Sequence, residues 1–92
     1  MGMLEDDLTE GHIYSRRMQA VDDTLARVRA EIERAVRKHR PMNSPHEAYA
    51  VIQEEVDELW DDVKADKGRD PCAMKEAIQI AAMGVRYVTD LS

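Results

Sequence analysis

Acidic residues crowd one short stretch of the chain. Six carboxylates lie within nine residues: Glu54, Glu55, Asp57, Glu58, Asp61 and Asp62. On a helix, with about 100° per residue, the apolar residues of this stretch form one stripe within about 40° of Ile52. Glu55, Asp62 and Glu58 fall at about −60°, −80° and −120° from the centre of that stripe, so they line one of its shoulders. The other three acids point away and need no role beyond solvation.

A pair of polar residues interrupts an apolar stretch further along the chain. Glu76 and Gln79 are spaced i,i+3 and are the only polar side chains in the range 76–83. A buried carboxylate is paired, hydrogen-bonded or bound to metal. If Glu76 faces Glu55 and Glu58 across a helix hairpin, three carboxylates converge, and oxygen ligands of this kind favour Mg²⁺ or Mn²⁺ over zinc.

Two plainer interpretations of these acids stay open. The acidic stretch is also typical of a solvated helix face, and spacing alone favours that interpretation. Glu76 has possible ion-pair partners in Lys75, Arg86 and Arg69. The pattern by itself does not choose between a metal site and these alternatives.

Three helices are predicted to position these residues. Apolar residues spaced by three or four from Met18 to Val36 indicate a long amphipathic helix that starts near Arg16 and ends at Pro41. Ser44-Pro45-His46-Glu47 predicts a capped helix start, with Glu47 reaching back, and this second helix runs to the polar stretch 64–69. Asp70-Pro71 repeats the cap-plus-proline pattern and opens a third helix to about residue 91. Its range 77–88 is so apolar that burial on most sides is expected.

The predicted fold class is all-α, a helical bundle in a single domain over residues 16–92. Residues 1–15 lack an apolar period and are expected to form a flexible or partner-dependent arm. A chain of 92 residues buries only about 60–65% of its unfolded surface, which favours self-association. Three helices with two apolar faces suit one half of a larger bundle.

Bulk composition excludes several classes of protein. Thirteen basic against 19 acidic residues give a net charge of −6, which argues against a protein that coats nucleic acid. The one basic stretch, residues 34–40, is interpreted as a solvated helix end. The single cysteine, Cys72, cannot form an intrachain disulfide, and no apolar run approaches the roughly 20 residues that span a bilayer. A soluble, cytoplasmic protein without a membrane partner is expected.

The last half of the chain resembles a known superfamily, the MazG-like all-α nucleoside triphosphate pyrophosphohydrolases. This superfamily also includes dimeric dUTPases and phosphoribosyl-ATP pyrophosphohydrolases. The segment Glu54-Glu55-Val56-Asp57-Glu58 is similar to its EExxE element. After 17 intervening residues, Glu76-Ala77-Ile78-Gln79 stands in the place of its ExxD element. Segments 44–51, 54–60 and 75–83 resemble short phage-encoded members in particular.

The resemblance implies hydrolysis of a nucleoside triphosphate to the monophosphate and pyrophosphate. It implies that Mg²⁺, with Mn²⁺ as a substitute, is held by Glu55, Glu58 and Glu76, with Gln79 at the fourth ligand position. Glu54 is implied as the residue that orients or deprotonates the water, although the helical wheel turns it away from Glu55. The partners implied are the nucleotide and a second copy of the chain, in a homodimer or a dimer of dimers with four-helix cores.

Two further residues are candidate substrate contacts, and one departure from the family pattern opens an alternative. Lys75 is the preferred phosphate contact, and His46 is a candidate contact to a phosphate or the base, although its place near a helix cap favours a solvent-facing histidine. Gln79 replaces the family's aspartate and removes one negative charge, which weakens a site for Mg²⁺. The alternative function is therefore a catalytically degenerate helical oligomerisation or interaction module.

Overall fold

The chain forms three helices joined by short connections. The computed structural model describes the backbone of residues 2–92 and the side chains of residues 10–92. The helices are α1 (Gly2–Lys38), α2 (Pro45–Lys64) and α3 (Pro71–Leu91), and the described residues contain no strand. The predicted all-α class is confirmed. Helix α3 is the central element, because it packs against both α1 and α2.

The start of α2 is the one that the sequence predicts. Ser44 lies in extended conformation at the N-cap, and its Oγ accepts a hydrogen bond from the backbone N–H of Glu47 at 3.1 Å. Pro45 occupies the first turn, where its missing N–H is not needed. Glu47 does reach back, but its Oε2 accepts from the N–H of Asn43 at 3.3 Å, one residue before the usual capping-box partner.

The turn from α2 to α3 differs in detail from the predicted one. Helix α2 ends in paired hydrogen bonds from Asp66 N to Val63 O at 3.1 Å and from Lys67 N to Asp62 O at 2.8 Å, a Schellman motif. Asp66 takes the left-handed position with φ 59°, which glycine usually fills. Asp70 is the N-cap of α3, but its side chain makes no capping hydrogen bond.

The core lies at one end of the molecule. Its buried members come from the C-terminal half of α1, the connection to α2, and the facing parts of α2 and α3: Val28, Ala35, Met42, Ala48, Ala82 and Met83. Ala48 and Ala82 are completely buried, and their small side chains let α2 and α3 approach closely. No large side chain among the described residues is fully buried. The core of one chain is therefore small.

Helix α1 extends far beyond this core. All side chains described before Val28 are exposed, and the radius of gyration is 17.5 Å, against about 12 Å for a compact chain of this length. The helix starts at Gly2, so the predicted start at Arg16 is wrong by 14 residues. Residues 1–15 show no apolar period that would mark a helix, and no proline precedes Pro41 to interrupt one. Dependence of the arm on a partner stays a prediction.

The predicted burial of α3 on most sides is wrong for the single chain. Ala73, Ala82, Met83 and Arg86 are its buried residues, whereas Val88 is 66% exposed. Two neighbouring helices cannot cover a helix that is apolar around most of its circumference. Within the described residues, no helix is long and apolar enough to cross a membrane.

Candidate metal centre

Three glutamates from two helices converge beside the core. Glu55 and Glu58 are spaced i,i+3 on α2, which puts them on one face of the helix, and Glu76 comes from the first half of α3. One carboxylate oxygen of each residue lies within 4.8 Å of the others. We call this group the carboxylate trio. The structure thus brings together the three residues predicted as metal ligands.

The spacing of the trio fits a small divalent cation. Mg²⁺–oxygen distances near 2.1 Å place the ligand atoms of one octahedron at most roughly 4.2 Å apart. The observed limit of 4.8 Å exceeds this by an amount that a side-chain rotation can remove. All three residues offer carboxylate oxygens, the ligand type that Mg²⁺ and Mn²⁺ prefer.

The trio lacks partners from the rest of the described chain. Oε2 of Glu55 and Oε2 of Glu76 are buried, and no N–H or O–H donor of the described residues hydrogen-bonds to them. None of the three basic residues that could neutralise Glu76 pairs with it. Arg86 contacts Asp90, and neither Lys75 nor Arg69 forms an ion pair within 4.0 Å in the described part of the chain. Buried carboxylate atoms without donors are costly, and a proton, a water molecule or an external cation would each reduce that cost.

Hydrogen bonding within the trio and burial raise two of its pKa values. The pKa of Glu58 lies above its usual value of 4.5, first because of its hydrogen bond with Glu76 and then because of the negative charge of Glu76. The pKa of Glu76 is raised by burial first and next by its hydrogen bond with Glu55. Carboxyl groups bond to one another only when one is protonated. Both shifts favour the protonated carboxyl over the carboxylate, and a bound cation would oppose them.

A cavity of about 450 Å³ adjoins the trio. It lies between the C-terminal part of α1, the connection to α2, and the facing sides of α2 and α3. Glu55 belongs to both the trio and the cavity wall, and the predicted site residues Gln79 and Lys75 also line it. Gln79 is half-buried one turn after Glu76, and Lys75 is exposed. Both residues therefore lie next to the trio, and their roles as ligand and phosphate contact stay predictions.

Two other predicted site residues lie outside the trio. Glu54 is exposed on α2, and its negative charge contributes to the raised pKa of Glu58, so it lies near the site. His46 is exposed in the first turn of α2 and does not line the cavity. Their assignments to catalysis and substrate binding stay predictions.

Sequence reasoning missed the basic side of this region. Arg34, Lys38 and Arg40 belong to the stretch interpreted as a solvated helix end, yet all three line the cavity together with Arg86 from α3. Arg86 carried the available signal, because it is the one charged residue in the apolar range 77–88. An isolated charge in an apolar helix indicates a buried ion pair or a site.

Comparisons with protein-family models, with curated proteins and with solved structures gave no match to this chain.

Proposed function

We propose that this protein is a Mg²⁺-dependent nucleoside triphosphate pyrophosphohydrolase of the MazG-like type. It hydrolyses a ribo- or deoxyribonucleoside triphosphate to the monophosphate and pyrophosphate. The observation that carries the proposal is the convergence of Glu55, Glu58 and Glu76, from two helices, within 4.8 Å. The motif resemblance names these same three residues as ligands, although 17 residues separate Glu58 from Glu76 in the sequence.

The proposed chemistry depends on charge neutralisation rather than on a covalent intermediate. A bound Mg²⁺ supplies charge neutralisation on the phosphates and orients them for in-line attack by water. The chain contributes the trio and Gln79 as ligands, and Glu54 as the group that orients the water or accepts its proton. Lys75 and His46 are the proposed contacts to the substrate. Mn²⁺ is an acceptable substitute, because it takes the same oxygen ligands.

Self-association is part of the proposal, as a homodimer or a dimer of dimers with four-helix cores. Large apolar side chains are exposed on α1 before Val28 and on α2: Ile13, Tyr14, Met18, Val21, Leu25, Val56, Trp60 and Val63. Contiguous exposed apolar surface of this kind marks interaction sites. A second copy of the chain is the proposed partner, and nucleic acid and membranes are not. A cytoplasmic location belongs to the same proposal, in keeping with a single unpaired cysteine.

Sedimentation equilibrium tests the oligomer. Leu25→Glu places a charge in the apolar stripe of α1, and we expect it to shift the mass toward that of the monomer. Arg27→Glu, on the other side of the same helix, is the matched control and should keep the mass of the wild type. A wild-type chain that stays monomeric at all concentrations contradicts this part of the proposal.

The catalytic proposal is tested with a panel of ribo- and deoxyribonucleoside triphosphates in the presence of Mg²⁺ or Mn²⁺. We expect stoichiometric pyrophosphate and nucleoside monophosphate from at least one member of the panel. Release of orthophosphate in place of pyrophosphate contradicts the assigned bond cleavage. No product from any nucleotide at high protein concentration contradicts the enzyme.

The second candidate function is a helical oligomerisation or interaction module that has lost its chemistry. Gln79 favours it, because this residue carries one negative charge fewer than the family's aspartate, and the exposed apolar surface serves a module equally well. The module predicts oligomers that bind no divalent cation. Calorimetric titration with Mn²⁺ therefore separates the two functions.

A further inference from the structure

The cavity beside the trio has the size of a small-molecule site. Its volume of about 450 Å³ falls in the range of roughly 300–1,000 Å³ that is usual for ligand pockets. Part of its wall is apolar and comes from the core, including Ala35, Met42, Val51 and Met83. The rest is polar and mostly charged.

The charge of this wall opposes that of the whole protein. Five basic side chains line the cavity, and they are Arg34, Lys38, Arg40, Lys75 and Arg86. Three glutamates line it as well, against a net charge of −6 for the chain. Cations are thus concentrated at one place in an acidic molecule. We call this place the basic cavity.

Most of these cations are not neutralised by carboxylates of the described chain. Arg34 pairs with Glu31 at 2.8 Å, and Arg86 lies 3.6 Å from Asp90. Lys38, Arg40 and Lys75 form no ion pair within 4.0 Å among the described residues. Three unpaired cations on one cavity wall provide a field that favours an anion.

Arg86 is a buried charge with spare donors. The residue is 7% exposed, its Nη2 donates to the carbonyl oxygen of Arg40 at 3.2 Å, and its Nη1 contacts Met83 Sδ at 3.7 Å. Its Nε is buried without a hydrogen-bond partner in the described part of the chain. A guanidinium has five N–H donors. Nε lies 3.6 Å from Asp90 Oδ2, and Nη1 and Nη2 make one contact each, so each Nη keeps a further N–H for a ligand of the cavity that Arg86 lines. An oxyanion is the ligand that completes it.

We infer that the basic cavity binds the phosphate chain of the nucleotide. Lys38 from α1 and Lys75 and Arg86 from α3 contact the phosphate oxygens, while Glu55, Glu58 and Glu76 would hold the metal ion that neutralises the phosphate charge. This inference rests on the proposed function, since it assigns the phosphate subsite of that reaction. It also assigns the C-terminal turn of α1 to substrate binding, which the sequence motifs do not.

Calorimetric titration of the full chain with inorganic pyrophosphate, in buffer freed of divalent metal, tests the inference. Lys38→Gln and Lys75→Gln each remove one cavity cation from an exposed position and leave the core intact. Arg37→Gln is the matched control, because Arg37 is in the same last turn of α1 but does not line the cavity. We expect each lysine variant to weaken pyrophosphate binding by at least about tenfold and the control to stay within about twofold.

Two results overturn the inference. One is wild-type protein that binds no pyrophosphate at millimolar concentration. The other is an equal pyrophosphate affinity for the two lysine variants and Arg37→Gln.

A parallel Mn²⁺ titration keeps the two proposals distinct. If the lysines control pyrophosphate binding but the protein binds no Mn²⁺ and hydrolyses no nucleotide, the phosphate subsite stands and the proposed reaction fails. If Mn²⁺ binds and nucleotides are hydrolysed while the lysine variants bind pyrophosphate normally, the reaction stands and the subsite is wrong.

Discussion

The carboxylate trio and the basic cavity are neighbours built from opposite charges. Both use Glu55, which faces Glu58 and Glu76 on one side and lines the cavity on the other. The trio has buried oxygen atoms without donors, whereas the cavity has cations without carboxylate partners among the described residues. Among the described residues, no ion pair within 4.0 Å joins these two sets of charges.

This separation indicates what kind of ligand the region suits. A metal–phosphate complex carries a divalent cation and a chain of anionic oxygens side by side, and each half matches one of the two regions. A folding role alone would favour direct ion pairs such as that of Arg86 with Asp90. The comparison therefore favours a magnesium nucleotide over either ion alone.

The largest expected effect is a loss of nucleotide hydrolysis when a residue of the carboxylate trio is replaced. Glu58→Gln removes one ligand charge, and we expect kcat/KM for nucleotide hydrolysis to fall by at least roughly 1,000-fold, because a catalytic metal contributes several kcal/mol and each 1.36 kcal/mol is tenfold. Asp57→Asn is the matched control, since Asp57 is exposed and bonds to Gln53 of its own helix. Equal activity of the two variants contradicts the assignment of the trio.

The next largest effect is a loss in the free energy of unfolding when Arg86 of the basic cavity is replaced. Arg86→Met leaves Asp90 with only the Met42 N–H at 3.0 Å and removes the donor to Arg40. We expect the free energy of unfolding to fall by about 2–4 kcal/mol, because breaking a buried pair strands a charge. Urea unfolding at fixed protein concentration measures it.

Arg29→Met provides the control for Arg86→Met. Arg29 pairs with Glu33 at the surface, with 81% of the arginine side chain exposed, so its loss should change the free energy of unfolding by less than about 0.5 kcal/mol. If both variants lose equal stability, the buried pair does not anchor α3 to the connection between α1 and α2.

A smaller effect, a gain in metal affinity, is expected when position 79 regains the negative charge that it has in the family pattern. Gln79→Asp adds a carboxylate one turn after Glu76, and we expect Mn²⁺ affinity to rise by about tenfold. Ala81→Asp adds the same charge at an exposed position of α3 and should leave the affinity unchanged. An equal gain in both variants means that the effect is one of general charge, not ligation.

The smallest effect is the pH dependence of the metal-free protein. Because the folded chain raises the pKa of Glu58 and Glu76 above 4.5, it binds protons more tightly there than the unfolded chain does. These two groups therefore stabilise the fold as pH falls toward 4.5, and that stabilisation is lost as pH rises through the raised pKa values. We expect Glu58→Gln to have a Tm a few degrees above that of the wild type near neutral pH, because the variant lacks the repelling charge. This difference in Tm should narrow as the pH is lowered.

Saturating Mg²⁺ should remove this pH-dependent difference at neutral pH, because the cation neutralises the repulsion among the deprotonated carboxylates. Protons then compete with the metal, so Mg²⁺ affinity should fall as pH is lowered through the same window. A Tm difference that is independent of both pH and Mg²⁺ contradicts strong coupling among the three carboxylates.

Local signals in the sequence explain which parts of the fold were predictable. Ser44-Pro45 and Asp70-Pro71 fixed the starts of α2 and α3, because a cap and a proline act within one turn. Spacing on two helices joined by a short turn made the convergence of Glu55 and Glu58 with Glu76 a conditional prediction, and it did not exclude a solvated acidic face. The length of α1 did not follow, because residues 1–15 lack an apolar period and the side chains described before Val28 are exposed.

The basic cavity was unpredictable for a different reason. It gathers Arg34 and Lys38 from α1 and Lys75 and Arg86 from α3, so its members are up to about 50 residues apart in sequence. No local pattern encodes such a separation. The role of Asp70 was also misjudged, because its backbone takes the cap position while its side chain does not bond to it.

Titration of the metal-free protein with Mn²⁺ by calorimetry tests the central claim that the trio is a divalent metal site. We expect saturable binding in the wild type and in Asp57→Asn, and its loss in Glu55→Gln and in Glu58→Gln. A flat titration of the folded wild type, or unchanged binding in both glutamate variants, would contradict the claim.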